Sequence, residues 1–379
     1  MKARLPLTGI TVADFSRVLA GPLCTQILGD AGARVIKIEE PGGGDETRRW
    51  GPPFVNGVSA YFLSVNRNKE SVALDLKSPS GRKIARQLIR RADVVVDNFL
   101  PRQRKEFGLG RRANPRAIHL SIGGYDSDTP DADAPGYDVL AQAASGLMAI
   151  TGPREGEPAK AGVALADVLT GHYAVAAILA ALYAREKTGR GESIEVSLFG
   201  AAVASLINVA QAALVTGNEA RRHGNEHPSI VPYQLFHASD RPFVIGAGTD
   251  RHFASLCRDV LKSPTLATDE RFATNSARVQ NRAVLVPILQ SALSSRKAAQ
   301  WVERCRKANV PAALVQGVRE ALQTPAGERL LVDIEHPLAG EIAVVGNPLR
   351  FSGRRFPVRR PPPLLGEHTE AVLRELGIR

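Results

Sequence analysis

Four short groups of residues hold side chains that chemistry could use. The first is Asp167, which stands just ahead of an apolar helical pattern over 168–188 that Gly189 ends. An Asp in that position commonly does no more than cap the helix. The same free amides and helix dipole also keep a carboxylate ionised and aimed, and an ionised carboxylate can attack an activated carbonyl. The second group is Gly136-Tyr137-Asp138 after Pro135, which alone reads as a loop entering a helix. The third is Asn66-Arg67-Asn68-Lys69 running on to Leu74 and Lys77, alone a polar turn before a strand. The fourth is Asn98-Phe99, at the carboxyl end of a predicted strand, where ligands of doubly wound sheets gather. Other chemistries lack their residues. Cys24, Cys257 and Cys305 form no CxxC or CxxxC pair, so no metal or redox centre is expected. Gly42-Gly43-Gly44 resembles a phosphate loop only weakly, and no GxGxxG follows the first strand.

The elements that must position these residues alternate. Strands are predicted over 10–15, 34–39, 71–76, 93–98, 117–122 and 192–197, with helices from the Gly21-Pro22 turn to about Gly32, over 81–91, and over 168–188. Such alternation implies right-handed crossovers and a mostly parallel sheet. The fold class is therefore α/β, with a Rossmann-like large domain. A further helix is predicted over 198–216, and both apolar helices read as buried. Composition changes near Gly217: residues 218–228 are polar and turn-rich, a linker. A smaller α+β domain is predicted over 229–325, with a strand over 243–245 and helices over 250–262, 276–293 and 296–309. Residues 326–379 then return to the large domain, whose first part is 1–217.

At 379 residues the chain is too long for one ordinary core. With 44% hydrophobic and 23% charged residues it has the composition of a globular protein. The net charge of +11 favours anionic ligands. The cations are scattered, in pairs such as Arg90-Arg91, Arg111-Arg112, Arg221-Arg222 and Arg354-Arg355, and aromatics are only 5%. That pattern argues against nucleic acid and suits a phosphate-bearing small molecule. The longest purely apolar run, 173–184, is too short to span a bilayer. The N-terminal MKARLPLTGI has no signal-peptide core, and the three separated cysteines suit reduced thiols. The expectation is a cytoplasmic protein with no membrane partner.

In chain order, the segments LTGITVADFSRVLAGPLCTQILGDAGARVIKIEEPGGGD, NRNKESVALDLKSPSG, ADVVVDNFLP, PGYDVLAQAASGLMAITG, ALADVLTG, REKTGRGESIEVSLF, HPSIVPYQLF and PLLGEHTEAVLRELG resemble the class III CoA-transferases, or CaiB/BaiF family. The resemblance covers nearly the whole chain. It implies that Asp167 in ALADVLTG is the nucleophile, carrying CoA as an aspartyl thioester between an acyl-CoA and a free carboxylic acid. It implies CoA as substrate rather than tightly bound cofactor, with contacts from Leu19, Ala20, Leu74, Lys77, Asn98 and Phe99, a phosphate contact from Arg104, and Tyr137 in the cleft. It also implies an interlaced homodimer, whose active site lies between the large domain of one chain and the small domain of the other. The sequence departs from the family pattern at Leu100, where an arginine is usual, at Glu40, where a basic residue is common, and across 123–135. Leu19 replaces a glutamine that formyl-CoA transferase sets near its substrate, which argues against the formyl-CoA/oxalate pair. The racemase branch has a histidine where Tyr137 stands, and racemisation needs an acid/base pair; His172 reads as a packed core residue. His227, in HPSIVPYQ, resembles the transferases of dicarboxylates such as succinate. The alternatives are a racemase-like isomerase and a non-catalytic acyl-CoA binder.

Overall fold

The computed structural model describes residues 4–109 and 114–377, so the Arg111-Arg112 pair lies outside the described residues. The chain divides into two compact units. One comprises the residues up to Met148, Lys160–Ala220 and the residues from Pro325 on; the other comprises Ala149–Ala159 and Arg221–Thr324. The sequence reading put 149–159 in the large domain. Arg222 explains the difference: its guanidinium donates to the carbonyls of Ala149, Pro153 and Gly156 and ties that segment to the second unit.

The first unit is built on six parallel strands, β1 (Thr11–Asp14), β2 (Arg34–Glu39), β3 (Lys69–Ala73), β4 (Val94–Asp97), β5 (Ile118–Gly123) and β6 (Ser193–Ser197). Their spatial order is β3-β2-β1-β4-β5-β6, the doubly wound order. Side chains alternate along each strand, and here both faces are apolar. Val12, Val94, Val96, Ile118 and Leu120 pack with Cys24, Leu28, Ala174 and Ile178 on one side. Ala13, Ile36, Ile38, Val72 and Val95 pack with Leu88 and Ile89 on the other. The helices that supply these contacts include α1 (Ala20–Asp30) and α3 (Pro79–Arg91); α2 (Ala60–Val65) lies between them in sequence. Further along come α4 (Pro101–Phe107), α5 (Asp138–Ala144) and α6 (Leu165–Thr188). The edge of β3 is closed by the helix Thr369–Glu375. Thr369 Oγ1 accepts from Ala73 N–H (3.0 Å), Ser71 O accepts from His368 N–H (2.9 Å), and Val372 is buried.

Two predicted helices of the first unit differ from expectation. The 198–216 helix is two, α7 (Leu198–Ala204) and α8 (Ile207–Thr216), bent by 75°. At the break Ser205 Oγ turns back to the Ala202 carbonyl (2.6 Å) and Ile207 takes a φ of 39°. Nor is either apolar helix buried all round. In this chain α8 has no buried residue, with Ile207, Leu214 and Val215 each at least 71% exposed. The 24-residue α6 is long and apolar enough to cross a membrane by length and composition. Its Ala166, Ala174 and Ile178 instead pack into the sheet core, while Tyr173, Leu179 and Tyr183 remain exposed.

The second unit holds an antiparallel sheet of β7 (Tyr233–His237), β8 (Pro242–Gly246) and β9 (Ala312–Leu314), with β8 central. Phe236, Phe243 and Ile245 pack on Leu285, Leu289 and Trp301. The helix predicted over 250–262 is α-helical for Asp250–Ser255 and widens into a π turn at Leu256–Val260. The one predicted over 276–293 divides at Asn281, whose side-chain amide donates to the Arg271 and Ala277 carbonyls.

Candidate active site

The order of the large sheet reverses between β1 and β4, because the chain leaves β1 toward β2 and leaves β4 toward β5. The carboxyl ends of these two strands therefore open a crevice. The loop after β1 and the loop after β4 are stitched across it by Asn98. Its Oδ1 accepts from Arg17 N–H (3.0 Å) and its Nδ2 donates to the Arg17 carbonyl (2.9 Å). Sequence reasoning assigned Asn98 to CoA; in the structure its side-chain amide makes this pin. The next residue, Val18, has φ 71°, a strained conformation for a β-branched residue. Its N–H donates to both carboxylate oxygens of Asp45 (3.3 and 3.2 Å), and Asp45 accepts from the fully buried Lys37 (2.9 Å). Burial alone would raise the Asp45 carboxyl; the Lys37 ammonium overrides it and holds it at about 2. Lys69 is buried under α1, donating to Asp14 (3.2 Å), the Pro22 carbonyl (2.9 Å) and Asn66 Oδ1 (3.0 Å). The 66–69 turn is thus a support beneath the site, not a contact surface.

Asp167 reaches the crevice from α6. It lies within the first turn rather than before the helix, since α6 begins at Leu165 and its N-cap residue, Ala164, offers no side-chain cap. Asp138 of α5 does that work: its Oδ1 accepts from Ala166 N–H (2.8 Å) and, more loosely, Asp167 N–H (3.4 Å), while Gln142 donates to its Oδ2 (2.7 Å). Asp167 and Gly171 are four positions apart and share one helix face. That face meets the start of α1. A Cβ on Gly171 would stand 2.9 Å from the Ala20 carbonyl oxygen, so glycine there lets α6 close on α1. Ala20 N–H is thereby brought near the Asp167 carboxylate, whose ionised form it favours. Asp138 is brought in by a similar approach: a Cβ on Gly124 would meet Gly136 Cα at 2.8 Å, so the loop from β5 folds back on itself.

Burial is the main reason the Asp167 carboxyl rises, and the charge of Asp138 adds to it; the Ala20 N–H opposes both, leaving it at about 7. Near neutral pH the group is therefore part ionised, and each ionised copy is a carboxylate with few favourable partners. Burial, then Asp167, Asp138 and Asp45, push the Tyr61 hydroxyl up to about 12. Tyr61 packs edge-on against Trp50 at 5.2 Å. Tyr61, Trp50, Asp138 as a helix cap, and Arg17 were all missed from the sequence. Only Arg17 carried a usable signal, its place just after the end of β1.

Ala20, Asn98, Phe99, Tyr137 and Asp167 line one cavity of about 110 Å³. Leu74, Lys77 and Phe99 line a second, of about 180 Å³, together with Arg17 and Glu40. Arg104 lines a third, of about 800 Å³, with Phe99, Arg86, Arg90 and Lys105. Phe99 is common to all three. The two expected phosphate contacts are already paired: exposed Lys77 with Glu40 (3.1 Å) and Arg104 with Asp97 (3.1 Å). Burial lifts the Asp97 carboxyl to about 6 against the pull of Arg104. Leu19 is the N-cap residue of α1, its carbonyl accepting from Leu23 N–H (2.8 Å). His172 is exposed rather than packed in the core, with Nδ1 at 2.7 Å from the Val168 carbonyl. In the second unit His227 packs against Tyr233 at 5.4 Å.

Residues 7–369 match the family model described as CoA-transferase family III. The chain is 43% identical over 377 residues to a Mus musculus protein named succinyl-CoA:glutarate CoA-transferase, across 98% of this chain and 86% of that one. It is 40% identical to the succinate–glutarate CoA-transferase of Agrobacterium fabrum, across 98% and 96%. The crystal structure of a CaiB/BaiF family protein from Brucella suis superposes with a TM-score of 0.87 at 39% identity, covering 99% of this chain and all of that one.

Proposed function

Since the chain belongs to the class III CoA-transferase family, we propose that it moves CoA between dicarboxylic acids through a thioester on Asp167. The observation that carries this reading is the placement of Asp167, in a small cavity at the sheet's switch point, with Ala20 N–H favouring its ionised form and Asp138 beside it. The carboxylate attacks the donor thioester carbonyl, the C–S bond breaks, and CoA leaves as thiolate from a mixed anhydride. The thiolate then attacks the Asp167 carbonyl carbon and releases the donor acid, leaving aspartyl-CoA. The acceptor carboxylate attacks the same carbon and expels thiolate, and the thiolate takes the acceptor's acyl group, freeing Asp167. Each attack at Asp167 builds negative charge on its oxygen, which Ala20 N–H, the group that favours the ionised carboxylate, would stabilise. Acylation also removes the negative charge that faces Asp138, so their repulsion favours the covalent state.

The two relatives named for succinate and glutarate support the dicarboxylate class. The exposed apolar side chains of α6 and α8 support a homodimer, since a partner would cover them. CoA itself fits along Phe99, which borders all three cavities. The test is intact mass after incubation with succinyl-CoA, for wild type and Asp167→Asn. A hydroxylamine-sensitive CoA or acyl adduct on the wild type, absent from the variant, is expected. An adduct that persists in the variant would move the chemistry to another residue.

A further inference from the structure

Resting on the dicarboxylate reading above, we propose that Arg17 is the residue that selects an acid with a second carboxylate. Arg17 lines the cavity that holds Asp167, and among the described residues it is the one cationic residue that does so. Its position is fixed from three directions. Asn98 holds its backbone on both sides, its guanidinium lies 5.5 Å from the centre of the Phe99 ring, and its Nη1 donates to Glu46 Oε1 (2.7 Å). That ion pair is incomplete. Arg17 Nε and Glu46 Oε2 are both buried and have no hydrogen-bond partner among the described residues. A buried N–H left unpaired costs free energy until something accepts from it.

Beyond the Glu46 bond the guanidinium keeps its full positive charge and further N–H donors, which suit a carboxylate. The cavity is small, about 110 Å³, so a short chain bonded at Asp167 keeps its far end close to Arg17. A distal carboxylate would pair with the charge that Arg17 presents to the cavity. A methyl end would leave it unpaired, which is the kind of contrast that discriminates strongly. Arg17 also borders the cavity that holds Lys77, so a CoA phosphate is the competing ligand, and the test separates the two.

Wild type, Arg17→Gln and Arg17→Lys are loaded with succinyl-CoA in the presence of glutarate and pentanoate together, and the two CoA products are quantified by mass. Both acceptors draw on the same aspartyl-CoA, so the product ratio is independent of donor and CoA binding. The glutaryl-CoA to pentanoyl-CoA ratio is expected to fall at least tenfold in Arg17→Gln, with Arg17→Lys between. Glu46→Gln, which releases Nη1, is expected to raise it and decides the matter if the Arg17 variants do not fold. A ratio within twofold of wild type in Arg17→Gln, or a lower one in Glu46→Gln, would overturn the assignment; the first is the outcome if Arg17 serves a phosphate. Wild type that makes pentanoyl-CoA but no glutaryl-CoA would sink the dicarboxylate reading itself.

Discussion

Asp167→Asn should be both inactive and more stable than the wild type above neutral pH. The carboxyl stands at about 7 in the fold against an ordinary 3.8, raised by burial first and by Asp138 second. Between about pH 4 and 7 the native state therefore holds a proton that the unfolded chain has released. Stability must fall as pH rises through that window. At 1.36 kcal/mol per pH unit the full cost is about 4 kcal/mol, and partial solvent access reduces it to roughly 2–4. Asparagine keeps the shape and the acceptor for Ala20 N–H but carries no charge to desolvate or to face Asp138. The variant should melt roughly 4–8 °C higher at pH 8, taking about 2 °C per kcal/mol for a large unit. At pH 4.5 the two proteins should melt almost together. Scanning calorimetry from pH 4.5 to 8.5 at one protein concentration measures both. A gain that is absent at pH 8, or equal at the two ends, would refute the claim that the site strains its own carboxylate.

Asp138→Asn should move the acid limb of kcat/KM down by at least one pH unit, since a like charge beside Asp167 is removed; rates measured from pH 5 to 8 with an unmoved limb would contradict this. Lys37→Met leaves Asp45 buried without its ammonium and should cost about 3–5 kcal/mol; urea unfolding at pH 7 checks it, and a loss below about 1 kcal/mol would show the pair to be incidental. Gly171→Val places a branched side chain against the Ala20 carbonyl, and kcat should fall at least tenfold with a smaller change in KM for the thioester. Leu214→Asp puts a charge on the exposed apolar helix α8; sedimentation should show a shift toward monomer together with loss of transfer activity.

Much of the large sheet was legible in the sequence, because strands buried on both faces leave continuous apolar runs. Arg34–Glu39 was predicted to the residue, and the other five strands to within three positions at each end. The family resemblance pointed to Asp167, and the structure sets it in one cavity with Ala20, Asn98, Phe99 and Tyr137. The roles of individual side chains were less accessible. Asn98 binds a loop 81 positions away and Asp138 caps a helix 28 positions away, and no local pattern announces either partner. Val18 needs Asp45 to hold it left-handed, a conformation that propensity assigns to glycine or asparagine instead. The exposed faces of α6 and α8 were read as buried because an apolar run looks the same in sequence whether or not the rest of the chain covers it.

The helix that closes the edge of β3 has a consequence for synthesis. Ala73 and Thr369 are 296 positions apart, so at 5–20 residues per second the ribosome needs about 15–60 s to deliver the second after the first. Every residue of the second unit is made within that interval, and that unit can close on its own core meanwhile. The strands made first thus finish last, and until then β3 presents open amides and carbonyls to any passing strand. For this chain the early growth of the polypeptide is the period when a chaperone matters most.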